Sequence, residues 1–242
     1  MNIKLIITYK GTHYSGWQIQ KEQKTIQGEL TKAFQILFSD YKINLIGSGR
    51  TDAGVHANNQ IAAIELPNHI ELDKIIKSIN GIIPNDIYIK DYKIKNNKFH
   101  PRYDAKYRIY KYYIQKKFSP FKRETTWHIR NNINYDLLNE CADLLIGEHN
   151  FSALSKNNPE IDNKNCIIYE SFWENYNNEL IYTIKGNRFL HHMVRFIVGS
   201  SIEVAKSKLM ISEFLKLINN SSSFQPVCAP AKGLFLSEVL YD

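Results

Sequence analysis

The sequence predicts an α+β fold, on three observations. Short β-branched runs bounded by turn residues read as strands, stretches with apolar residues every three to four positions read as helices, and one order of such segments occurs twice along the 242 residues. A chain of this length accommodates one large domain or two smaller ones, each with a real core. Its hydrophobic fraction of 43% excludes an intrinsically disordered chain.

Residues 3–9 (IKLIITY) form the first predicted strand. Thr25 has the chemistry of an N-cap for a helix running to about Ser39, with Ile26, Leu30, Phe34 and Leu37 on its apolar face. Strands are expected over 42–48 and 59–66, around a Gly-rich connection. A helix over 71–80 turns Leu72, Ile75, Ile76 and Ile79 inward, and a turn at Pro84 and Asn85 leads to a strand over 87–95. This is the β-α-β-β-α-β order of split, ferredoxin-like folds. The second half has a strand over 107–115, then a helix over 134–146 carrying Leu137, Leu138, Cys141, Leu144 and Leu145. Strands over 165–174 and 179–185 flank the turn Asn175 to Asn178. A helix from about Arg188 to Ala205, a shorter one over 211–218 and a strand over 234–240 follow. The expectation is two ferredoxin-like (RRM-like) lobes, residues 1–104 and 105–242, with sheets side by side forming a central cleft, the kind of place where ligands sit. Segments 117–133 and 152–165 read as polar loops.

The net charge of +7 is local. Between Lys98 and Arg123 lie nine basic residues and a single acid, Asp104, so that segment carries +8 and the remainder of the chain −1. Phe99, Tyr103, Tyr107, Tyr110, Tyr112, Tyr113, Phe118 and Phe121 are interleaved with those charges. Basic residues alternating with flat rings suit nucleic acid. The three cysteines, Cys141, Cys166 and Cys228, form no CxxC pair, which argues against a zinc site or a disulfide framework and for reduced cytosolic thiols. The N-terminal MNIKLIITYKG has neither the apolar stretch nor the cleavage motif of a signal peptide, and no run approaches a membrane span.

The densest motif is Gly47-Ser48-Gly49-Arg50-Thr51-Asp52-Ala53-Gly54-Val55-His56-Ala57. Its glycines allow tight bends and close approach of a ligand. Arg50 and Asp52, two apart, share a face if the segment is extended, and a positioned carboxylate serves as nucleophile or base. The segment lacks the Gly-Lys-Ser/Thr of a phosphate loop and the third glycine of a dinucleotide fingerprint. A second motif, Arg108-Ile109-Tyr110-Lys111-Tyr112-Tyr113-Ile114, places Arg108, Tyr110 and Tyr112 on one face of a strand. One tyrosine there is expected to stack on a base and the other to pack in the core. Lys111 adds charge. In the third motif, Gly186 to Arg195, a helix aligns Arg188, His192 and Arg195 on one face, opposite a buried stripe of Phe189, Met193, Ile197 and Val204. The His191-His192 spacing is wrong for a helical metal pair, so no metal is expected. Arg195, lodged among Met193, Val194, Phe196 and Ile197, is expected to have a partly buried partner.

With these motifs the chain closely resembles the TruA family of tRNA pseudouridine synthases. The matching stretches are Tyr9-Lys10-Gly11-Thr12, Ser15-Gly16-Trp17-Gln18, Thr25-Ile26-Gln27, GRTDAGVHA at 49–57, RIYKYYI at 108–114, NFSALS at 150–155, FLHHMVRFIVG at 189–199 and APAKGLFLSEVLY at 229–241. The resemblance implies that Asp52 is the catalytic aspartate, Tyr110 the tyrosine at the target base, and Arg50 and Arg195 active-site arginines, with Arg195 pairing with and orienting Asp52. Arg108 and Lys111 beside Tyr110 are then candidate substrate contacts. It implies isomerisation of uridine to pseudouridine at positions 38, 39 and 40 of the tRNA anticodon stem-loop, by a cytoplasmic homodimer that needs no cofactor. Two positions depart from the family: Arg188 stands where a small residue is frequent, and Phe235 where tyrosine is. A non-catalytic pair of RRM lobes would share the element order, but the RNP1 pattern is absent. A small-molecule enzyme would leave the basic segment unexplained.

Overall fold

The first strand, β1 (Asn2–Tyr9), alternates as its sequence dictates, with Ile3, Leu5, Ile7 and Tyr9 buried. In the computed structural model, which describes residues 1–242, it belongs to a unit made of residues 1–106 and 236–242; residues 107–235 make a second unit. Within the first unit, β1 pairs antiparallel with both β3 (His56–Glu65) and β4 (Ile87–Lys95), so that Leu5 lies opposite Ala62 on one side and Tyr92 on the other. The short β2 (Leu45–Gly47) also pairs with β3. Helix α1 (Ile26–Leu37) starts where Thr25 Oγ accepts from Gly28 N. Its Ile26, Leu30 and Phe34 are fully buried, whereas Leu37 is exposed. Each such buried side chain contributes about 1.5–3 kcal/mol, so packing rather than intrinsic propensity holds the helix. Helix α2 (Leu72–Ile82) buries Leu72, Ile76 and Ile79 and is pinned to β4 by Asn80, whose amide bonds both N and O of Ile89 at 2.9 Å.

In the second unit the strands run in the order β5 (Tyr107–Gln115), β9 (Glu179–Gly186), β8 (Asn165–Tyr176) and β7 (Gly147–Asn150), all antiparallel. The two-residue β6 (Trp127–His128) lies parallel to the end of β5. Helix α3 (Tyr135–Asp143), capped by the Asn134 side chain, packs on β8 and on α4 (Met193–Ala205). Helix α5 (Ile211–Ile218) packs on α3 and α4. The last strand, β10 (Leu234–Leu240), starts in the second unit, and its residues from Leu236 on belong to the first. There Lys106 N donates to Leu240 O, Asn59 Nδ2 to Ser237 O and the Tyr241 hydroxyl to Pro101 O. The fold is therefore a mixed α+β one. No helix is long and apolar enough to cross a membrane.

Several elements depart from the sequence expectation. The strand expected over 42–48 is confined to Leu45–Gly47, because Lys42 and Asn44 are polar and exposed. The segment 117–133 contains β6 and a 3-10 turn at Pro120–Lys122. The helix expected from Arg188 begins only at Met193. The preceding polar groups are engaged elsewhere. Asn187 O accepts from Arg108 Nη1 at 2.7 Å, Asn187 Oδ1 accepts from Ile167 N at 2.9 Å, and His191 O accepts from Lys156 N at 2.9 Å. His192 completes the break in the left-handed region at φ 63°. Arg188, His192 and Arg195 therefore do not share a helical face.

Candidate active site

Asp52 sits, half-buried, in an irregular loop between β2 and β3. The loop is gripped by residues 9–17. The Tyr9 hydroxyl and Thr51 Oγ lie 2.8 Å apart, Trp17 N donates to Thr51 O at 3.1 Å, and Gly54 N donates to Tyr14 O at 3.2 Å. Gly11 N donates to Nδ1 of the fully buried His56 at 3.1 Å, which fixes Nδ1 as the unprotonated nitrogen. Two glycines make this approach possible. A side chain at Gly11 would collide with the Val55 carbonyl. One at Gly16, whose φ is +89°, would collide with the Thr51 carbonyl in a conformation L-residues rarely adopt. The grip continues into α1, whose first amides, Ile26 N and Gln27 N, donate to Gly16 O and Trp17 O. Those donors would otherwise be orphans of a helix start.

The other side of the loop is held by Gln60, which is fully buried on β3: Ser48 Oγ bonds its Oε1 at 2.7 Å and its Nε2 donates to Gly49 O at 3.1 Å. A turn, Val55 N to Asp52 O at 3.1 Å, closes around the aspartate. The carboxylate thus rides on a backbone fixed on both flanks. Arg50 projects from the same loop and is exposed. The segment from Arg50 to Asp52 is irregular rather than a strand, so an extended-chain face is not what relates the two side chains.

In the second unit, Arg108 and Tyr110 on β5 both reach the segment that follows β9. Arg108 bonds Asn187 O, and the Tyr110 ring meets Phe189 edge-on at 5.1 Å. Arg108, Tyr110 and Lys111 are all half-buried. Tyr112, on the same strand face, is the core member: it is fully buried and its hydroxyl donates to Pro230 O at 2.7 Å. Burial holds that phenol well above its ordinary range. Arg195, half-buried near the start of α4, donates through Nε to Ala229 O at 2.8 Å, while Ala229 N donates to Arg195 O at 3.0 Å. Ala229-Pro230 is therefore a strap held by α4 through Arg195 and by β5 through Tyr112. Arg188 is half-buried before α4, and Phe235 meets Tyr113 edge-on at 5.1 Å.

The structure thus gathers Arg50 with Asp52 on one loop of the first unit, and Arg108, Tyr110, Lys111 and Arg195 in the second. Of the residues that position Asp52, Tyr9, Gly11, Gly16, Trp17 and His56 lie within the matching stretches noted in the sequence, and Gln60 lies outside them. Their residue types do not show that they grip the loop.

A half-buried aspartate on a clamped loop, in an α+β chain with an aromatic-basic strand, fits the class of RNA-modifying isomerases. A family model described as tRNA pseudouridine synthase matches residues 5–104 and 141–242, and the chain belongs to that family. Asp52, Arg50 and Arg195 fall within the matched residues; β5, with Tyr110, falls outside them. Similar proteins include "tRNA pseudouridine synthase A" of Dictyoglomus thermophilum, 39% identical with both chains fully covered. A second is "tRNA pseudouridine synthase A" of Borrelia turicatae, 37% identical over 98% of this chain and 97% of that one. A third is "tRNA pseudouridine synthase A 1" of Protochlamydia amoebophila, 36% identical over 99% and 96%.

Proposed function

We propose that this chain isomerises uridine to pseudouridine in the anticodon stem-loop of tRNA, at positions 38, 39 and 40, with Asp52 as the covalent catalyst. The reading is carried by the Asp52 loop, an acid fixed from both sides in a chain of this family. The family of the relatives supports tRNA as substrate, and the basic, aromatic stretch from Lys98 to Arg123 suits an RNA partner. In keeping with the reading, each unit is a ferredoxin-like lobe. The β1-α1-β2-β3-α2-β4 order of the first unit, with β1 between β3 and β4, supports this. The protein acts as a homodimer in the cytoplasm.

The chemistry is balanced within the substrate. The N1–C1′ bond breaks, the uracil turns, C5 bonds to C1′, the C5 proton leaves and N1 takes one up. Nothing is oxidised and no group departs, so neither a redox cofactor nor ATP is required. The base must first leave its stack, at a cost of a few kcal/mol that is least in or near a loop. Asp52 then acts at C1′, at C6 or on the C2′ proton, each a task for a positioned carboxylate. Tyr110 holds the free uracil. Arg108 and Lys111 meet the RNA backbone, and Arg50 and Arg195 supply the active-site cations.

The test is incubation with tRNA carrying tritium at uridine C5, with no cofactor added. Tritium is expected to be released by the wild-type protein. The Asp52→Asn variant is expected to release none while binding tRNA within a few-fold of wild type. Turnover by purified Asp52→Asn would overturn the assignment of the nucleophile, and release from positions outside 38–40 would overturn the assignment of the substrate site.

A further inference from the structure

Phe121 is 96% exposed, the most exposed large apolar side chain of the protein. A single surface phenylalanine is ordinary; one carried outward on a turn whose backbone is held is less so. Pro120 immediately before it fixes the backbone and opens a 3-10 turn through Lys122. Lys122 N donates to Ser119 O at 3.2 Å, and Lys122 O accepts from Thr126 Oγ at 2.8 Å and from Thr125 N at 3.0 Å. The Lys122 ammonium pairs with Glu179 on β9. The base of the loop is tied down by Lys116, whose N donates to Asn178 O and whose Nζ donates to Asn175 Oδ1, both at 2.8 Å. Phe118, three residues earlier in the chain and 62% exposed, leans on the His128 ring at 5.4 Å. Residues 116–123 also carry Lys116, Lys117, Lys122 and Arg123 and no acid.

Resting on the RNA reading above, we propose that Phe121, with Phe118 close by in the chain, is a stacking post for an unpaired base of the tRNA other than the target uridine. An exposed ring between cations is how proteins hold single-stranded bases while neighbouring phosphates are neutralised. Distance separates this base from the target. Gln115, the end of β5, is five residue steps beyond Tyr110, about 17 Å at roughly 3.3 Å per residue, and Phe121 follows that end in the chain. The charge of the tip argues against its own copy as occupant, since a symmetric contact would set Lys116, Lys117 and Arg123 against the same three cations, Lys122 being paired with Glu179.

The experiment uses the full chain and its Phe121→Ala and Phe121→Trp variants. An unmodified tRNA transcript is titrated for affinity at fixed salt, turnover is followed by tritium release, and melting temperature and oligomeric state are measured on the same preparations. Phe121→Ala is expected to bind about tenfold more weakly, as loss of one stacked base implies. Its KM should rise alike, with turnover at saturating tRNA and melting temperature unchanged. Phe121→Trp is expected to keep its affinity, and its added fluorescence should be quenched by tRNA but not by fully paired RNA. Wild-type affinity in Phe121→Ala, or fluorescence of Phe121→Trp unmoved by tRNA, overturns the proposal. So does a change of oligomeric state in Phe121→Ala with tRNA affinity intact. If the wild-type protein releases no tritium yet these binding changes appear, the stacking post stands and the proposed reaction falls.

Discussion

The backbone N–H of Gly11, just past the end of β1, donates to Nδ1 of His56, the first residue of β3, across 3.1 Å. The ring is fully buried, so water cannot replace it as acceptor. His56→Leu should leave that N–H unsatisfied at a cost of about 1–3 kcal/mol, and the Asp52 loop should lose its fixed position. A lowered urea midpoint together with a slower single-turnover rate is expected. A variant with the wild-type midpoint would show that this bond does not hold the loop.

Tyr110 differs from Tyr112 in what its replacement should do. Tyr110 meets Phe189 edge-on and is half-buried, whereas Tyr112 is sealed in the core. Tyr110→Phe keeps the ring and loses a hydroxyl able both to donate and to accept. It is expected to bind tRNA almost normally and turn over much more slowly. Tyr110→Leu also loses the stacking surface, with a further loss of about tenfold to a hundredfold. Single-turnover rates at saturating enzyme decide: a Phe variant at wild-type rate removes the hydroxyl from the mechanism, and a Leu variant at wild-type rate removes the residue from the site.

Affinity for tRNA should fall steeply with salt, with a log–log slope of roughly −0.7 to −0.9 per phosphate contacted. Changing Lys111, Lys116 and Lys117 to Gln should flatten it. Because the Lys116 ammonium is already bonded to Asn175, Lys117→Gln alone should change the slope more than Lys116→Gln alone. Filter binding at four salt concentrations measures this, and an unchanged slope in the triple variant would exclude the segment as the RNA surface.

Tyr14 should reveal itself in alkali. Its hydroxyl is buried with no hydrogen-bond partner in the protein, and burial, with smaller effects of Asp86 and Glu29, pushes its ionisation from 10.0 up to about 12. A group whose folded value is raised gives stability that is whole below the unfolded value and is lost as pH rises towards the folded one. The window is therefore pH 10 to 12. Tyr14→Phe should be near neutral at pH 8, since removing an unsatisfied polar atom costs little, and should lose less melting temperature than wild type between pH 10 and 11. Equal losses in the two proteins would contradict the burial effect.

What was legible in the sequence was local. The Thr25 cap, the alternation of β1 and the bounds of β10 follow from neighbouring residues, and the structure has them where the pattern put them. The start of α4 was not legible, because residues 187–191 spend their carbonyls and side chains on Arg108, Lys156 and Ile167, partners far away in the chain. The short β7 exists only by pairing with β8. The site divides in the same way. The glycine-rich motif marked Asp52 as a candidate. The clamp around it did not show, because its pairs, Tyr9 with Thr51 and Gly11 with His56, are 42 and 45 residues apart. Tyr110 and Tyr112 share a strand face, and only the bond to Pro230 and complete burial tell the core ring from the half-buried one.

The path of β10 sets an order of events on the ribosome. The unit that carries Asp52 has residues 1–106 translated before the second unit and residues 236–242 translated after it. Until those residues emerge, Lys106 N lacks its acceptor Leu240 O, Pro101 O lacks its donor, the Tyr241 hydroxyl, and Asn59 Nδ2 lacks its acceptor Ser237 O. Domains generally mature from the N-terminus as the chain grows; here the whole of the second unit is translated before the first can close. A message cut short anywhere before Leu236 leaves the aspartate's own unit without its final segment.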